Sequence, residues 1–179
     1  EGGASRSVGE PRWVDPSWSP EGDRLVLGIL WDWASDRPSA LHVVDLRTGV
    51  ASPVPRSEGH YSARWSPDGR SIAALSTPAT RLAVYELGTG RWRELIAASD
   101  KLGYPSWTRD SKWIQLVMGS TIARVRVSDG HVEQVTSLAR VPLVTVPWGG
   151  WIGLAPDDSP IALRAIGSTE IYALDVQWP

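Results

Sequence analysis

The sequence predicts an all-β protein, a β-propeller of four repeated four-stranded antiparallel blades, on three observations. A hydrophobic residue, a tight polar turn and an apolar run recur as Trp18-Ser19-Pro20-Glu21-Gly22, Trp65-Ser66-Pro67-Asp68-Gly69, Trp107-Thr108-Arg109-Asp110-Ser111 and Leu154-Ala155-Pro156-Asp157-Asp158. The third residues of these units lie 47, 42 and 47 positions apart, and a period in the forties between strand-forming flanks marks propeller blades. Three of the repeats carry a second turn signal, Arg47-Thr48-Gly49, Gly88-Thr89-Gly90 and Ser128-Asp129-Gly130, which suits a hairpin between strands.

The chain of 179 residues is expected to form a single unit over 1–179, with blades at about 11–55, 60–97, 103–136 and 148–179. The first turn of each repeat fits type I geometry. A hydroxyl at Ser19, Ser66 or Thr108 accepts a hydrogen bond, Pro20 or Pro67 fixes φ, and Gly22 or Gly69 suits the fourth place. Arg109, Ser111, Ala155 and Asp158 depart from this pattern, so turns three and four are expected to be less rigid. A second strand follows at 24–30, 71–76, 112–118 and 160–165, apolar enough to be covered on both faces. A third follows at 41–46, 82–87, 122–127 and 171–176, with better alternation. The outer strand is expected at 50–54, 91–96 and 131–135.

Counting from the third strand, the fourth repeat runs out of chain at Pro179 before an outer strand. Gly2-Gly3-Ala4-Ser5 parallels Gly49-Val50-Ala51-Ser52, and residues 3–8 are the expected closing strand, paired alongside 171–176 in the same molecule or a neighbour. Such pairing removes an exposed sheet edge. The ring is either four-bladed in one chain or half of an eight-bladed ring completed by a homodimer.

Eleven tryptophans and no phenylalanine give an unusual aromatic balance. Trp13, Trp18, Trp65, Trp107, Trp148 and Trp151 all lie in or beside the first strand of a repeat, where large rings are expected to fill the space between neighbouring sheets. Eighteen basic and 20 acidic residues give a net charge of −2 with no run of one sign, which argues against a nucleic-acid surface. No apolar stretch reaches the roughly 20 residues of a membrane helix, so no membrane insertion is expected. The absence of cysteine excludes disulfides, thiolate metal sites and a cysteine nucleophile. Glu1 in place of Met points to a mature, trimmed or excised chain.

The Trp-Ser-Pro-Asp-Gly turn, the apolar strand after it and the Val43-Val44-Asp45-Leu46-Arg47-Thr48-Gly49 hairpin resemble the WD40-like (PD40) repeats of the TolB family of bacterial β-propellers, over roughly residues 11–179. The repeat also occurs in propellers attached to prolyl-oligopeptidase-type peptidases. The segment from Gly153 to Asp175 is similar to the C-terminal ends of large bacterial proteins that join a signalling module, across a membrane helix, to such a propeller. The resemblance implies a sensor or protein-binding domain in the periplasm or another extracytoplasmic place. It does not carry a function by itself, because the repeat serves many parent proteins. Propellers of this family usually have six or more blades, and this chain supplies four.

No catalytic set emerges. His42, His60 and His131 fall at different repeat positions without metal-ligand spacing. No Gly-x-Ser-x-Gly elbow is present, and Asp157-Asp158 sits in a turn where carboxylates cap or solvate. Neither a catalytic residue, a metal nor a cofactor is expected. Candidate ligand contacts lie on two long connections. Trp31, Asp32, Trp33, Asp36 and Arg37 occupy the segment between the second and third strands of blade one, and Arg140 and Trp148 the insertion 137–150 before blade four. For both, simple packing of the connection is the alternative. The expected function is a noncatalytic scaffold that binds a protein or peptide. The alternatives are a substrate-gating accessory propeller of a peptidase or other hydrolase, and a Trp-lined carbohydrate or small-ligand binder.

Overall fold

The computed structural model describes residues 13–29, 40–146, 149–165 and 167, with backbone alone at 29, 145, 146, 149 and 150. The described residues contain strands and turns and no helix. Blade one consists of β1 (Trp13–Trp18), β2 (Arg24–Ile29), β3 (Leu41–Asp45) and β4 (Ala51–Pro53), hydrogen-bonded in that order. Blade two repeats the order with β5 (His60–Trp65), β6 (Ser71–Ser76), β7 (Arg81–Glu86) and β8 (Arg91–Ala97), and blade three with β9 (Leu102–Trp107), β10 (Trp113–Met118), β11 (Thr121–Arg126) and β12 (Val132–Ser137). Every pairing is antiparallel. The first strands of successive sheets adjoin one another, which places β1, β5 and β9 at the centre and β4, β8 and β12 outside.

The fourth repeat is smaller in the described residues. A short pair, β13 (Thr145–Val146) with β14 (Gly149–Gly150), precedes a second, β15 (Ile152–Leu154) with β16 (Pro160–Ala162). The expected third strand at 171–176 and closing strand at 3–8 lie outside the described residues. The insertion joins the fourth sheet: Leu143 bridges Arg164, and the Val144 N–H donates to the Leu163 carbonyl at 3.0 Å.

The core lies between blades. Because side chains alternate across a strand, Val26 and Leu41 reach one side of blade one and join Ala63, Trp65, Ile72, Ala74 and Tyr85 of blade two. Ala73, Leu75, Leu82 and Val84 on the far side of blade two meet Leu102, Trp107, Ile114, Leu116 and Val125 of blade three. The second strands of blades one to three are therefore covered on both faces, as expected, whereas in blade four the expectation fails, since Ile161 and Leu163 are 43% and 47% exposed. In β7 the expected alternation gives way to a run of four buried residues from Leu82 to Tyr85.

The repeat tryptophans separate into two groups. Trp65 and Trp107 fill the junctions, at 5% and 9% exposure, whereas Trp18 is 60% exposed and Trp151 45%. The expectation that all six rings sit between sheets fails for Trp18 and Trp151. A repeat ring packs on the blade before its own, and no described residue seats Trp18 in that way; Trp151 precedes the repeat position, which in blade four is held by Leu154. Trp13 is half-buried and stacks on His42, while the side chain of Trp148 lies outside the described residues.

All four turns close the same bond, from the fourth residue's N–H to the first residue's carbonyl, at 2.9 to 3.0 Å. The fourth residue is left-handed whether it is Gly22, Gly69, Ser111 or Asp158, with φ between 58° and 73°. The absence of glycine in turns three and four thus does not open them, and the added side chains reach the preceding turn. Ser111 Oγ accepts the Asp68 N–H at 3.1 Å, and Asp158 Oδ1 accepts the Arg109 N–H at 3.1 Å. At the first junction Gly69 has no side chain, and a Cβ there would stand 3.1 Å from Glu21 Oε1 and 3.2 Å from Pro20 Cγ. The fourth turn residue therefore meets the previous turn at all three junctions.

Two carboxylates inside these turns are held below the usual 3.8. The Lys112 N–H and the Thr108 hydroxyl hold Asp110 down, and the Ser159 hydroxyl and N–H hold Asp157 down. A depressed folded value adds stability above the unfolded value and loses it as pH falls through the folded one. The turns are expected to weaken below about pH 4, and a chain carrying Asp110→Asn and Asp157→Asn to show a shallower acid loss of stability. Denaturant midpoints measured along a pH series check this. Trp65→Ala is expected to cost about 3 to 5 kcal/mol and Trp18→Ala far less, read from the same denaturation curves.

Candidate functional site

The inner strands share a feature that hydrophobic periodicity does not announce. Asp15, Ser62 and Tyr104, each three residues before a repeat tryptophan, have φ of 55°, 52° and 53°. Each lies where the ladder to the second strand slips: between Val14 and Ser17, between Tyr61 and Arg64, and opposite Gln115 and Val117. These are β-bulges, which recur beside binding and active sites because they re-aim a side chain. A left-handed L-residue costs roughly 1–2 kcal/mol, so three of them at one repeat position concentrate strain on the inner strands.

The bulges bring together charged and polar groups from three blades. Arg64 Nη2 lies 2.8 Å from Asp15 Oδ1, linking blades one and two, and the pair is only partly exposed. Arg64 Nη1 donates to the Ala63 carbonyl at 2.8 Å, while the Arg64 carbonyl accepts the Trp107 indole N–H at 2.9 Å. Arg64 thus touches three blades. Burial pushes the Tyr104 phenol up, and the Asp15 charge pushes it further, so it stays a neutral donor at working pH. The arrangement sets a carboxylate, a guanidinium and a phenol on neighbouring inner strands, the first two paired and the third within reach of the Asp15 charge while its ring packs toward Ile122, Leu138 and Ile152. That set suits recognition of polar backbone or side-chain groups.

Elsewhere a shallow groove of about 560 Å³ runs beside the second turn, lined among others by Asp68, Arg70, Glu86, Thr89, Arg93 and Val127. Arg93 is committed there, donating to the Val127 carbonyl at 2.7 Å and lying 3.7 Å from Glu86. Among the described residues no group of three or more His, Asp or Glu is placed to hold a metal. His60 is half-buried, stacks on Trp92 at 4.2 Å, and its desolvation lowers its pKa, which is packing rather than ligation.

Of the residues singled out from sequence, Trp31, Asp32, Trp33, Asp36 and Arg37 lie outside the described residues, as does Trp148. Arg140 is exposed. Its neighbours in the insertion, Val141 and Leu143, pack against Ile122, Leu138 and Ile152, so this part of the connection fills space between blades three and four. Sequence reasoning missed Asp15, Arg64 and Tyr104. The available signal was positional, since each bulge residue precedes Pro16, Ala63 or Pro105 at a fixed distance from the tryptophan, whereas the residue types Asp, Ser and Tyr share no chemistry.

No family model matches the chain, and no curated protein matches it. Solved structures do. TolB from Acinetobacter baumannii superposes with a TM-score of 0.60 at 18% identity, covering 85% of this chain and 43% of that one. A putative TolB from Agrobacterium tumefaciens gives 0.65 at 18%, covering 87% and 58%. The β-propeller domain of the Trilobed protease from Pyrococcus furiosus, described as having an open velcro topology, gives 0.58 at 17%, covering 74% and 44%. The chain is therefore an all-β protein with the TolB-like propeller fold, and it spans about half the length of these neighbours.

If the ion pair serves the mouth more than the fold, Arg64→Ala is expected to lower stability by no more than about 1 kcal/mol, the range of a partly solvated pair. Chemical denaturation of Arg64→Ala and Asp15→Ala beside the parent chain checks this; a loss of core size would make the pair structural.

Proposed function

We propose that this chain is a noncatalytic propeller that binds a protein or peptide segment at the central mouth of its inner strands. The observation that carries the reading is the Asp15–Arg64 pair between blades one and two, with the Asp15 charge reaching Tyr104 of blade three, beside strained bulges that recur at Asp15, Ser62 and Tyr104. Strain at a repeated position that also gathers polar side chains fits binding better than packing. The repeat resemblance and the TolB neighbours support a part in a larger bacterial TolB-like protein, acting as its sensor or interaction module in an extracytoplasmic compartment.

A second reading is favoured by the protease propeller among the neighbours: an accessory propeller that gates access to a hydrolase. The two differ in what the mouth does. A binder holds a segment, whereas a gate lets one pass.

A peptide array probed with the purified chain tests the proposal. Peptides retained by the parent are expected to bind at least about tenfold more weakly to Arg64→Ala, a loss of about 1.4 kcal/mol. Equal retention by the parent, Arg64→Ala and Asp15→Ala, or no retained peptide at all, overturns it.

A further inference from the structure

The residue that opens the second strand differs in the three four-stranded blades. Arg24, Ser71 and Trp113 hold this place, each paired with the end of the third strand at Asp45, Glu86 and Arg126. In blades one and three the side chain is large and engaged. Arg24 lies over the Trp65 ring of the next blade at 5.1 Å, and Arg124 and Arg126 lie over Trp113 at 4.5 and 5.0 Å. Ser71 is small, and the groove of about 560 Å³ opens beside it where blade two meets Val127 of blade three.

The position before it is charged in all three blades. Asp23 lies 3.3 Å from Arg24, and Lys112 lies 4.0 Å from Asp110. Arg70 lines the groove and is exposed, and among the described residues it has no ion-pair partner. The other charges of the groove are engaged. Asp68 accepts the Ser66 hydroxyl at 2.6 Å and the Arg70 N–H at 3.0 Å. Glu86 accepts the Thr89 hydroxyl at 3.2 Å and lies 3.7 Å from Arg93, which itself donates to the Val127 carbonyl at 2.7 Å. One uncommitted guanidinium is left beside open volume, with Leu87 and Val127 as apolar lining.

We propose that this groove binds an acidic residue of a peptide segment, its carboxylate on Arg70 and an aliphatic neighbour on Leu87 and Val127. The guanidinium fork of Arg70 matches a carboxylate in two-point contact. Ser71 leaves the room that Arg24 and Trp113 fill in the sibling blades, and the ligand's acid supplies the counter-ion that the charged residue of this position has there. A single free cation beside apolar side chains suits one carboxylate next to an aliphatic group, whereas a nucleic-acid backbone calls for a row of cations. The site shares no residue with the Asp15–Arg64 pair and stands apart from the function proposed for it.

Titration of the nitrogen-15-labelled chain with the peptide Ac-Leu-Glu-Val-NH2, followed by amide shifts, tests this. The signals of Ser71, Thr89 and Val127 are expected to move, and to move equally in Arg64→Ala. Ac-Leu-Gln-Val-NH2 is expected to bind about tenfold more weakly, the loss of one charge-assisted contact. The Glu peptide is expected to lose as much on Arg70→Asp, which installs the acid that blade one carries as Asp23. Arg70→Gln replaces that variant if it misfolds. Equal binding of the Glu and Gln peptides overturns the proposal, as do shifts that survive the loss of Arg70, or no shift at all. Glutarate that binds as tightly as the peptide overturns it too. Shifts confined to Asp15, Ser62 and Tyr104 overturn it while leaving the inner-strand site standing.

Discussion

The packing of one blade on the next is the contact on which everything else in this protein depends. A four-stranded sheet of three to seven residues per strand cannot bury its apolar faces alone. Each sheet has apolar residues on both faces, and burial is completed by the neighbour, as Val26 and Leu41 do with Trp65 and Ile72. In repeat proteins stability is a sum of such nearest-neighbour terms. The loss of one junction residue is therefore felt at a single seam.

The seams are not identical. At the first two, the second and third strands of the earlier blade offer apolar pairs, Val26 with Val43 and Ala73 with Val84. At the third the matching pair is Gln115 with Arg124, and the incoming residue shrinks from Trp to Leu154. Arg124 and Arg126 lie over the Trp113 ring at 4.5 and 5.0 Å, and Arg124 is tied to Glu133 at 2.6 Å. Among the described residues the buried Gln115 amide nitrogen has no hydrogen-bond partner. The apolar contact there shifts to Ile122, Leu138 and Ile152 with Val141 and Leu143 of the insertion. The long connection before blade four thus supplies burial that the polar substitutions removed.

The centre of the molecule follows from the same repetition. Three inner strands carry the same bulge, at Asp15, Ser62 and Tyr104, and the seam between blades one and two sets Arg64 against Asp15. A single blade with such a bulge would hold one polar group. Packing the blades side by side turns one local distortion into a set of polar groups on neighbouring inner strands.

The sequence by itself determined the repeat, the blade order and most strands. The alternation of turn signals with apolar runs is local physics: β6 runs over Ser71–Ser76 where the pattern put it, and β7, β8, β10 and β11 begin or end within two residues of theirs. It also determined the turns, because the hydroxyl of Ser19, Ser66 or Thr108 and the carboxylates of Asp68, Asp110 and Asp157 accept backbone N–H groups a few residues away. Only the tertiary structure decided which tryptophans are buried. Trp18, Trp65 and Trp107 share one local sequence context, and their difference lies in what the preceding blade provides. It also decided the pairing of Asp15 with Arg64, since the two come from different blades and their 2.8 Å contact is a property of the seam, not of any stretch of chain.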